Sequence, residues 1–250
     1  MSRRLQMLTK MVTPGSRVAD IGCDHGFLSI YLVQEGISPA VIAMDVRKGP
    51  LSAAREHIDT RGLGAYIETR LSDGLKKLKP GEVDTVVCAG MGGRLMARIL
   101  EESKEKTVLL RELILQPQSE LQEFREFLRK SGFRITEEDM VREDGKYYFA
   151  IRAVPGGWEI SSKPDRPKAF SVVGMSDRAV CVRVCDKFGE ALLSQKHPLL
   201  KEYLYDQQRI LEQLAERLTV QDTERVGIRL QEVQEELDDV RQALVVLRNT

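Results

Sequence analysis

Five strand-like apolar runs alternate with amphipathic helical patterns over the first 130 residues of this 250-residue chain. The runs cover residues 17–21, 40–45, 65–70, 84–88 and 112–116, and the helical patterns cover residues 27–35, 50–61, 93–101 and 119–130. This alternation is typical of a parallel sheet with helices on both faces. Two more strand-like runs, 133–141 and 147–154, meet at Asp144-Gly145, a strong hairpin signal. The sequence therefore predicts an α/β fold with a doubly wound, Rossmann-like sheet that ends in an antiparallel hairpin.

The pattern changes after Pro198, where apolar residues repeat at alternating spacings of three and four. The repeating positions are Leu200, Leu204, Gln207, Leu211, Leu214 and Leu218, then Val226, Leu230, Val233, Leu237, Val240, Leu244 and Leu247. Such spacings are typical of coiled-coil helices. The polar break at 219–222 favours an antiparallel helical hairpin within one chain, and pairing between chains is the alternative. We therefore expect a monomer or a weak homodimer.

Pro155-Gly156-Gly157 is a plausible domain boundary, which predicts one domain over residues 1–155 and a linker with the helical hairpin over 156–250. Residues 161–167 resemble a polar linker, and residues 170–184 have some strand character. In that interpretation Cys181 and Cys185 share one strand face.

Charge and cysteine content narrow the range of functions. Lysine plus arginine and aspartate plus glutamate both total 38, so a nucleic-acid partner would have to bind a local basic patch. The four cysteines have neither metal-binding nor secreted-disulfide spacing. No apolar run reaches 18 residues. We expect a cytoplasmic protein that has no metal and does not bind membranes.

The turn after the first strand predicts a nucleotide crevice. It reads Asp20-Ile-Gly-Cys-Asp-His-Gly26, in which glycines allow close backbone approach to a ligand. The dinucleotide fingerprint requires Gly-x-Gly-x-x-Gly, whereas Asp24 and Phe27 occupy its second and third glycine positions. Gly22 and Gly26 instead have the spacing of the first motif of S-adenosylmethionine-dependent methyltransferases.

Carboxylates follow the first three strands in order. Asp45, after the second strand, is placed to accept hydrogen bonds from ribose hydroxyls, or alternatively to cap the next helix. Asp73, within Ser72-Asp73-Gly74, is placed to accept from an adenine amino group, or to form an ordinary turn. Together with Asp20 they favour an adenosyl ligand.

Two later segments carry ligand-like chemistry. The loop Ala89-Gly-Met-Gly-Gly93 has three glycines that leave room for a planar base, where a tight turn would need only one. Gln116-Pro117-Gln118 places two amides after the fifth strand, able to pair with an adenine edge.

These motifs resemble the bacterial tRNA (adenine-22-N1)-methyltransferase family. The resemblance covers about residues 3–153 and is carried by Arg4-Leu5, Asp20-Ile-Gly-Cys-Asp-His25, Gly49-Pro50, Ala89-Gly-Met-Gly-Gly93, Leu113-Ile-Leu-Gln-Pro117, and Glu143-Asp-Gly-Lys146 with Tyr148. It implies a class I methyltransferase domain, S-adenosylmethionine as cofactor, tRNA as substrate and a C-terminal coiled coil. Gln118 and Phe149 depart from the family pattern, which has asparagine and glutamate there.

The site residues follow from the motifs and the resemblance. The predicted cofactor-binding residues are Arg4, Asp20, Gly22, Asp24, Gly26, Asp45, Ser72, Asp73, Gly74, Ala89, Gly90 and Met91. The predicted substrate-binding residues are Gly92, Gly93, Gln116, Pro117, Gln118 and Tyr148.

Adenine N1 methylation needs no general base, so Asp24 is predicted only as a carboxylate near the reacting centre, with a turn or helix-cap role as its alternative. His25 is as readily structural as catalytic, and His57 is expected at the surface. The alternative function is a small-molecule methyltransferase that dimerises through its coiled coil.

Overall fold

The computed structural model describes residues 2–156, 175, 177–219 and 224–248, and the chain forms two compact units, Met1–Trp158 and Glu159–Thr250. The first unit contains seven strands: β1 Val18–Ile21, β2 Val41–Asp45, β3 Ile67–Leu71, β4 Thr85–Met91, β5 Glu112–Pro117, β6 Phe133–Glu143 and β7 Lys146–Pro155. Its helices are α1 Arg3–Met11, α2 Phe27–Gln34, α3 Lys48–Thr60, α4 Gly93–Glu101, α5 Lys104–Thr107 and α6 Leu121–Lys130.

The strands form one sheet in the order β3-β2-β1-β4-β5-β7-β6. The first five strands are parallel, and β7 pairs antiparallel with both β5 and β6. The predicted fold class of this unit is confirmed, including the terminal hairpin. Asp144 (φ 49°) and Gly145 (φ 76°) both have left-handed backbone, as the turns that favour Asp-Gly require.

Apolar side chains form one core on each face of the sheet. The core on one face includes Met96, Ile99 and Phe124 from α4 and α6. The core on the other face includes Leu8 from α1 and Leu28 from α2. Because both faces are covered, the central strands β1, β2 and β5 are buried along their whole length.

Helix α1 was not predicted from the sequence, although it positions part of the site. The Ser2 side chain caps it by accepting a hydrogen bond from the Leu5 amide, 3.3 Å away. The helix packs against the β6–β7 hairpin, and the Arg3 amide donates to Glu143 at 2.7 Å. Arg4 is thereby held over the Tyr148 ring, with its guanidinium carbon 5.4 Å from the ring centroid.

A completely buried carboxylate, Glu112 at the start of β5, joins several elements. It accepts hydrogen bonds from the Thr13 amide and hydroxyl, both at 2.8 Å, and from the Thr85 hydroxyl at 3.1 Å. Arg152 of β7 lies 2.5 Å from it. The buried charge is therefore both paired and hydrogen-bonded, as a stable core requires.

The second unit is helical in its described part, with α7 Arg178–Phe188, α8 Glu190–Ser194, α9 Pro198–Thr219 and α10 Glu224–Arg248. The strand-like interpretation of residues 170–184 was wrong over 178–184, which belong to α7. Asp177 caps this helix by accepting from the amides of Ala179 and Val180. Cys181 and Cys185 are buried one helical turn apart rather than on a strand face. Residues 161–167, interpreted as a linker, lie outside the described residues.

Helices α9 and α10 form an antiparallel hairpin. Arg248 donates to the Tyr205 hydroxyl at 3.3 Å, and Arg241 lies 3.9 Å from Glu212, so residue numbers fall along α10 as they rise along α9. The predicted seam is buried at Leu200, Leu204, Leu211, Val233, Leu237, Val240 and Leu244. The prediction of two C-terminal helices is confirmed. That these helices form a coiled coil, and that the chain divides functionally into domains 1–155 and 156–250, stay predictions. Residues 220–222 of the polar break predicted between the two helices lie outside the described part of the chain.

Candidate active site

A cleft of about 650 Å³ lies at the carboxyl ends of the parallel strands. Strand β1 pairs with β2 on one side and with β4 on the other, so the strand order reverses direction at this point. Ligands of open α/β sheets bind at such a switch point. The cleft is lined by Arg4, Leu5, Asp20, Ile21, Gly22, Cys23, Asp24, His25, Phe27, Leu28, Asp45, Val46, Arg47, Ser72, Asp73, Gly74, Ala89, Gly90, Met91, Leu95, Arg98, Ile99 and Gln118.

The turn after β1 depends on unusual backbone conformations. Gly22 has φ 73°, and a β-carbon there would overlap the Met91 methyl group. Asp24 has φ 50°, which aspartate tolerates better than most residues. Its side chain is 64% exposed, and its amide lies 3.4 Å from an Asp45 oxygen. Asp24 is therefore a turn residue that presents a carboxylate to the cleft, and it does not cap α2, whose N-cap is Gly26.

Asp20 is a buried carboxylate at the floor of the cleft, only 3% exposed. Burial raises the pKa of Asp20 to about 6, although a 2.7 Å hydrogen bond from the Ser29 hydroxyl opposes that rise. The charge of nearby Asp45 adds a smaller increase. Two buried acidic side chains, Asp20 and Asp45, thus lie close enough to interact at this end of the cleft.

Asp45 ends β2 and is 5% exposed. One of its oxygens accepts from the Arg47 amide at 2.8 Å, just before α3, and the Arg47 guanidinium lies 3.8 Å away. This bond closes a turn ahead of α3 and is not a helix cap, because the N-cap of α3 is Arg47 and has no side-chain capping bond. The same carboxylate lines the cleft. Both roles are compatible because a carboxylate offers several lone pairs.

The segment after β3 forms a tight turn. The Ser72 hydroxyl donates to the Gly74 carbonyl at 2.8 Å and accepts from the Lys77 amide at 3.1 Å. Asp73 is exposed and pairs with Lys76 at 2.5 Å, and this hydrogen bond and charge lower the pKa of Asp73. The turn interpretation of Ser-Asp-Gly therefore holds, and contact between Asp73 and an adenine amino group stays a prediction.

The three glycines after β4 have different roles. Gly90 (φ 78°) lines the cleft and donates its amide to the Gln116 side chain at 3.3 Å. A β-carbon on Gly93 would lie 2.9 Å from the carbonyl oxygens of both Ser119 and Glu120, at the start of α6. Gly92 is similarly close to the Ser119 hydroxyl. Close packing of α4 against this turn explains the glycine at Gly93, whereas contact of Gly92 and Gly93 with the substrate stays a prediction.

The cleft brings together most predicted cofactor residues but few predicted substrate residues. Gly26 lies outside it, packed against Ala54. Of the predicted substrate residues only Gln118 lines the cleft. Gln116 and Pro117 are buried, and Tyr148 packs beside Arg4.

Sequence reasoning missed several residues on the cleft wall. Val46 and Arg47 directly follow Asp45, and adjacency to a strand-end carboxylate is a usable signal. Leu95 and Ile99 lie four residues apart on a single face of α4, the helix that follows the glycine loop. The spacing alone does not reveal that this face points to the cleft.

Neither Cys23, which lines the cleft, nor Cys88, which is buried in β4, has the character of a nucleophile. Burial and the charge of Asp20 raise the pKa of Cys88 to about 12. Burial also raises the pKa of Cys23, with help from Asp20, Asp45 and Asp24. Both groups therefore remain thiols at neutral pH, which argues against covalent catalysis by cysteine.

The residues present fit an adenosyl cofactor. The volume lies within the ~300–1,000 Å³ usual for small-ligand sites. Buried Asp45 offers acceptors for ribose hydroxyls, and a β-carbon on Gly90 would meet only Gln118, 3.8 Å away, so the glycine leaves open space. Gln116, beneath Gly90, has an amide nitrogen with no hydrogen-bond partner among the described residues.

The class follows from this fold and cleft: a Rossmann-like, S-adenosylmethionine-dependent methyltransferase. A family model described as a methyltransferase domain matches residues 1–151. The tRNA (adenine(22)-N(1))-methyltransferase of Bacillus subtilis strain 168 is 31% identical over 244 residues, 98% of this chain and 97% of the relative. The chain belongs to this tRNA (adenine-22-N1)-methyltransferase family, and the resemblance noted in the sequence is confirmed.

Solved structures agree over nearly the whole length. The crystal structure of the B. subtilis m1A22 tRNA methyltransferase superposes with a TM-score of 0.82 at 29% identity, covering 98% of each chain. A putative tRNA (m1A22) methyltransferase of Streptococcus pneumoniae, in complex with S-adenosyl-L-methionine, gives a TM-score of 0.79 at 28% identity and covers 98% of this chain and 99% of that one.

Proposed function

We propose that this enzyme transfers the methyl group of S-adenosylmethionine to N1 of adenine 22 in tRNA. The observation that carries the proposal is the cleft at the β1/β4 switch point, lined by two buried carboxylates and a glycine loop. It occurs in a chain that matches a tRNA (adenine(22)-N(1))-methyltransferase end to end.

The chemistry requires positioning more than acid–base catalysis. When bound, S-adenosylmethionine supplies an electrophilic methyl group on a sulfonium. Adenine N1 has an in-plane lone pair and attacks without first losing a proton. The protein has to hold N1 in line and exclude water, and such positioning is worth up to ~7–11 kcal/mol.

The residues proposed to hold the cofactor come from four loops. Asp45 binds the ribose hydroxyls, and the turn 20–24 and the loop 89–91 form the opposing walls. Asp73 and Gly74 border the adenine end. These assignments rest on the lining of the cleft and on the buried position of Asp45.

The tRNA contacts are proposed from exposed groups at the cleft. The target adenine has to leave its stack to reach the cofactor, because N1 lies on its base-pairing edge. Gln118 offers an exposed amide to that base. Arg4 and Arg98 on the cleft wall, with exposed Arg94 on the same helix as Arg98, are proposed phosphate contacts.

The described helices include none long and apolar enough to cross a membrane. We assign the enzyme to the cytoplasm, where tRNA is modified, and keep a monomer or weak homodimer as the proposed oligomeric state.

Asp24→Asn is expected to lower kcat about tenfold. Methyl transfer leaves positive charge on the adenine, which a nearby carboxylate stabilises, and the high exposure of Asp24 limits the effect. Asparagine keeps the side-chain shape and tolerates the left-handed backbone. Single-turnover methylation of an unmodified transcript measures the loss, and a rate equal to wild type would remove Asp24 from the mechanism.

The function itself is tested with two transcripts of one tRNA, carrying adenine or guanine at position 22. We expect labelled methyl incorporation only into the first. Equal labelling of both transcripts would refute adenine 22 as the methylated position. No labelling of any tRNA would refute the proposed function. Methylation of small molecules instead would favour the alternative considered in the sequence analysis.

A further inference from the structure

Three aromatic rings meet at the mouth of the cleft: His25, Phe27 and His57, hereafter the ring cluster. The Phe27 and His57 rings are stacked, with centroids 5.1 Å apart and an interplanar angle of 23°. His25 lies 5.8 Å from Phe27 and 5.9 Å from His57. His57 comes from α3 and is half-buried at the protein surface, where its ring contacts the other two.

The ring cluster is ordered but open. The His57 Nδ1 atom lies 3.0 Å from the His25 carbonyl oxygen, which fixes one imidazole relative to the turn. Phe27 is nevertheless 47% exposed and belongs to neither core, although it is the first residue of α2. His25 and Phe27 both line the cleft. Rings held in place with surface left to solvent have the properties of a stacking platform.

The charges nearby suit a nucleic acid. The side chain of Arg47 is largely exposed and lines the same cleft, and the exposed Arg61 donates to the His57 carbonyl at 3.0 Å. Two carboxylates are also close, since Asp24 lies 3.8 Å from His25 and the buried Asp45 lies 3.8 Å from the Arg47 guanidinium. Guanidinium groups beside open rings are the combination that binds single-stranded nucleotides.

We propose that the ring cluster stacks against the base next to the target adenine in tRNA. This inference rests on the proposed function. An adenine that leaves its stack exposes a face of the neighbouring base, and an aromatic side chain replaces the lost contact. Phe27 supplies the main surface, while His25 and His57 hold its position. Phe27 is therefore assigned as a positioning residue for the RNA, not for the cofactor.

The test compares Phe27→Ala and Phe27→Trp with Tyr66→Ala. Tyr66 is similarly exposed, at 53%, but precedes β3 and does not line the cleft. Phe27→Ala is expected to raise KM for the adenine-22 transcript about 5- to 150-fold, the range for loss of one base stack. The KM values of Phe27→Trp and Tyr66→Ala are expected to stay within about threefold of wild type. Tryptophan also stacks on a base, and Tyr66 lies outside the cleft.

A separate measurement distinguishes RNA from cofactor contact. Calorimetric titration with S-adenosylhomocysteine should give Kd values for wild type and Phe27→Ala within about twofold of each other. An unchanged KM for tRNA in Phe27→Ala, or an equal loss of S-adenosylhomocysteine affinity, would overturn the proposal while leaving wild-type methylation intact. Absence of wild-type methylation would instead overturn the proposed function on which it rests.

Discussion

Asp45→Ala is expected to weaken S-adenosylmethionine binding by about 10²- to 10⁴-fold. The Asp45 carboxylate lies almost fully buried at the end of β2 and lines the cleft, so its hydrogen bonds to ribose hydroxyls would be shielded from water. Hydrogen bonds to a charged group are worth ~1.5–3 kcal/mol each, and two such bonds give this range. The same change also removes an acceptor for the Arg47 amide.

Isothermal titration with S-adenosylmethionine measures this effect, with Asp84→Ala as the matched control. Asp84 is also an ion-paired aspartate beside a strand of the sheet, but it immediately precedes β4, pairs with Arg17 and does not line the cleft. Its variant should bind as wild type does. Asp45→Asn, which keeps an acceptor, should fall between the two. An unchanged affinity of Asp45→Ala for S-adenosylmethionine would contradict the assignment of Asp45 to the ribose hydroxyls.

Arg125→Ala is expected to destabilise the first unit by about 3–5 kcal/mol. Arg125 of α6 and Glu138 of β6 form an ion pair at 2.7 Å, with both side chains almost wholly buried. Removing the cation takes the buried ion-pair partner away from the Glu138 carboxylate, and breaking a buried pair costs that much in comparable cases. Unfolding in urea, followed by circular dichroism, measures the loss.

The matched control is Lys130→Ala on the same helix. Lys130 pairs with Glu126 at 2.6 Å, but both side chains are exposed, so the change should cost less than about 1 kcal/mol. Replacing both buried partners, with Arg125→Met and Glu138→Leu, should recover much of the lost stability because no charge is left buried. Equal destabilisation by Arg125→Ala and Lys130→Ala would show that burial of the pair is unimportant.

Local pattern predicted the sheet because its strands are short apolar runs with glycine or aspartate at their ends. The signal is weaker where packing decides the structure. Residues 178–184 are rich in valine and cysteine and resemble a strand, yet they form α7, which begins at an Asp177 cap. Helix α1 was missed although four of its nine residues are apolar, because its position depends on packing against the distant β6–β7 hairpin.

Among the site residues, too, those set by local sequence pattern were predicted and those set by packing were not. Residues at strand ends, such as Asp20 and Asp45, were predicted to border the cleft because strand direction alone puts them there. Gly92 and Gly93 were predicted to bind substrate because a loop with three glycines leaves room for a planar base, but the sequence could not show that the turn at Ser119 and Glu120 packs against them. The contact between His57 and Phe27 was not predicted because the two residues are 30 positions apart in sequence and meet only through helix packing.

The most direct test of the central claim is a map of the methylated position. Methylation at N1 blocks base pairing, so reverse transcription of tRNA treated with the enzyme and S-adenosylmethionine should stop one nucleotide before adenine 22. Digestion of the same RNA should yield 1-methyladenosine. Full-length extension together with methyl groups on another atom or nucleotide would contradict the account.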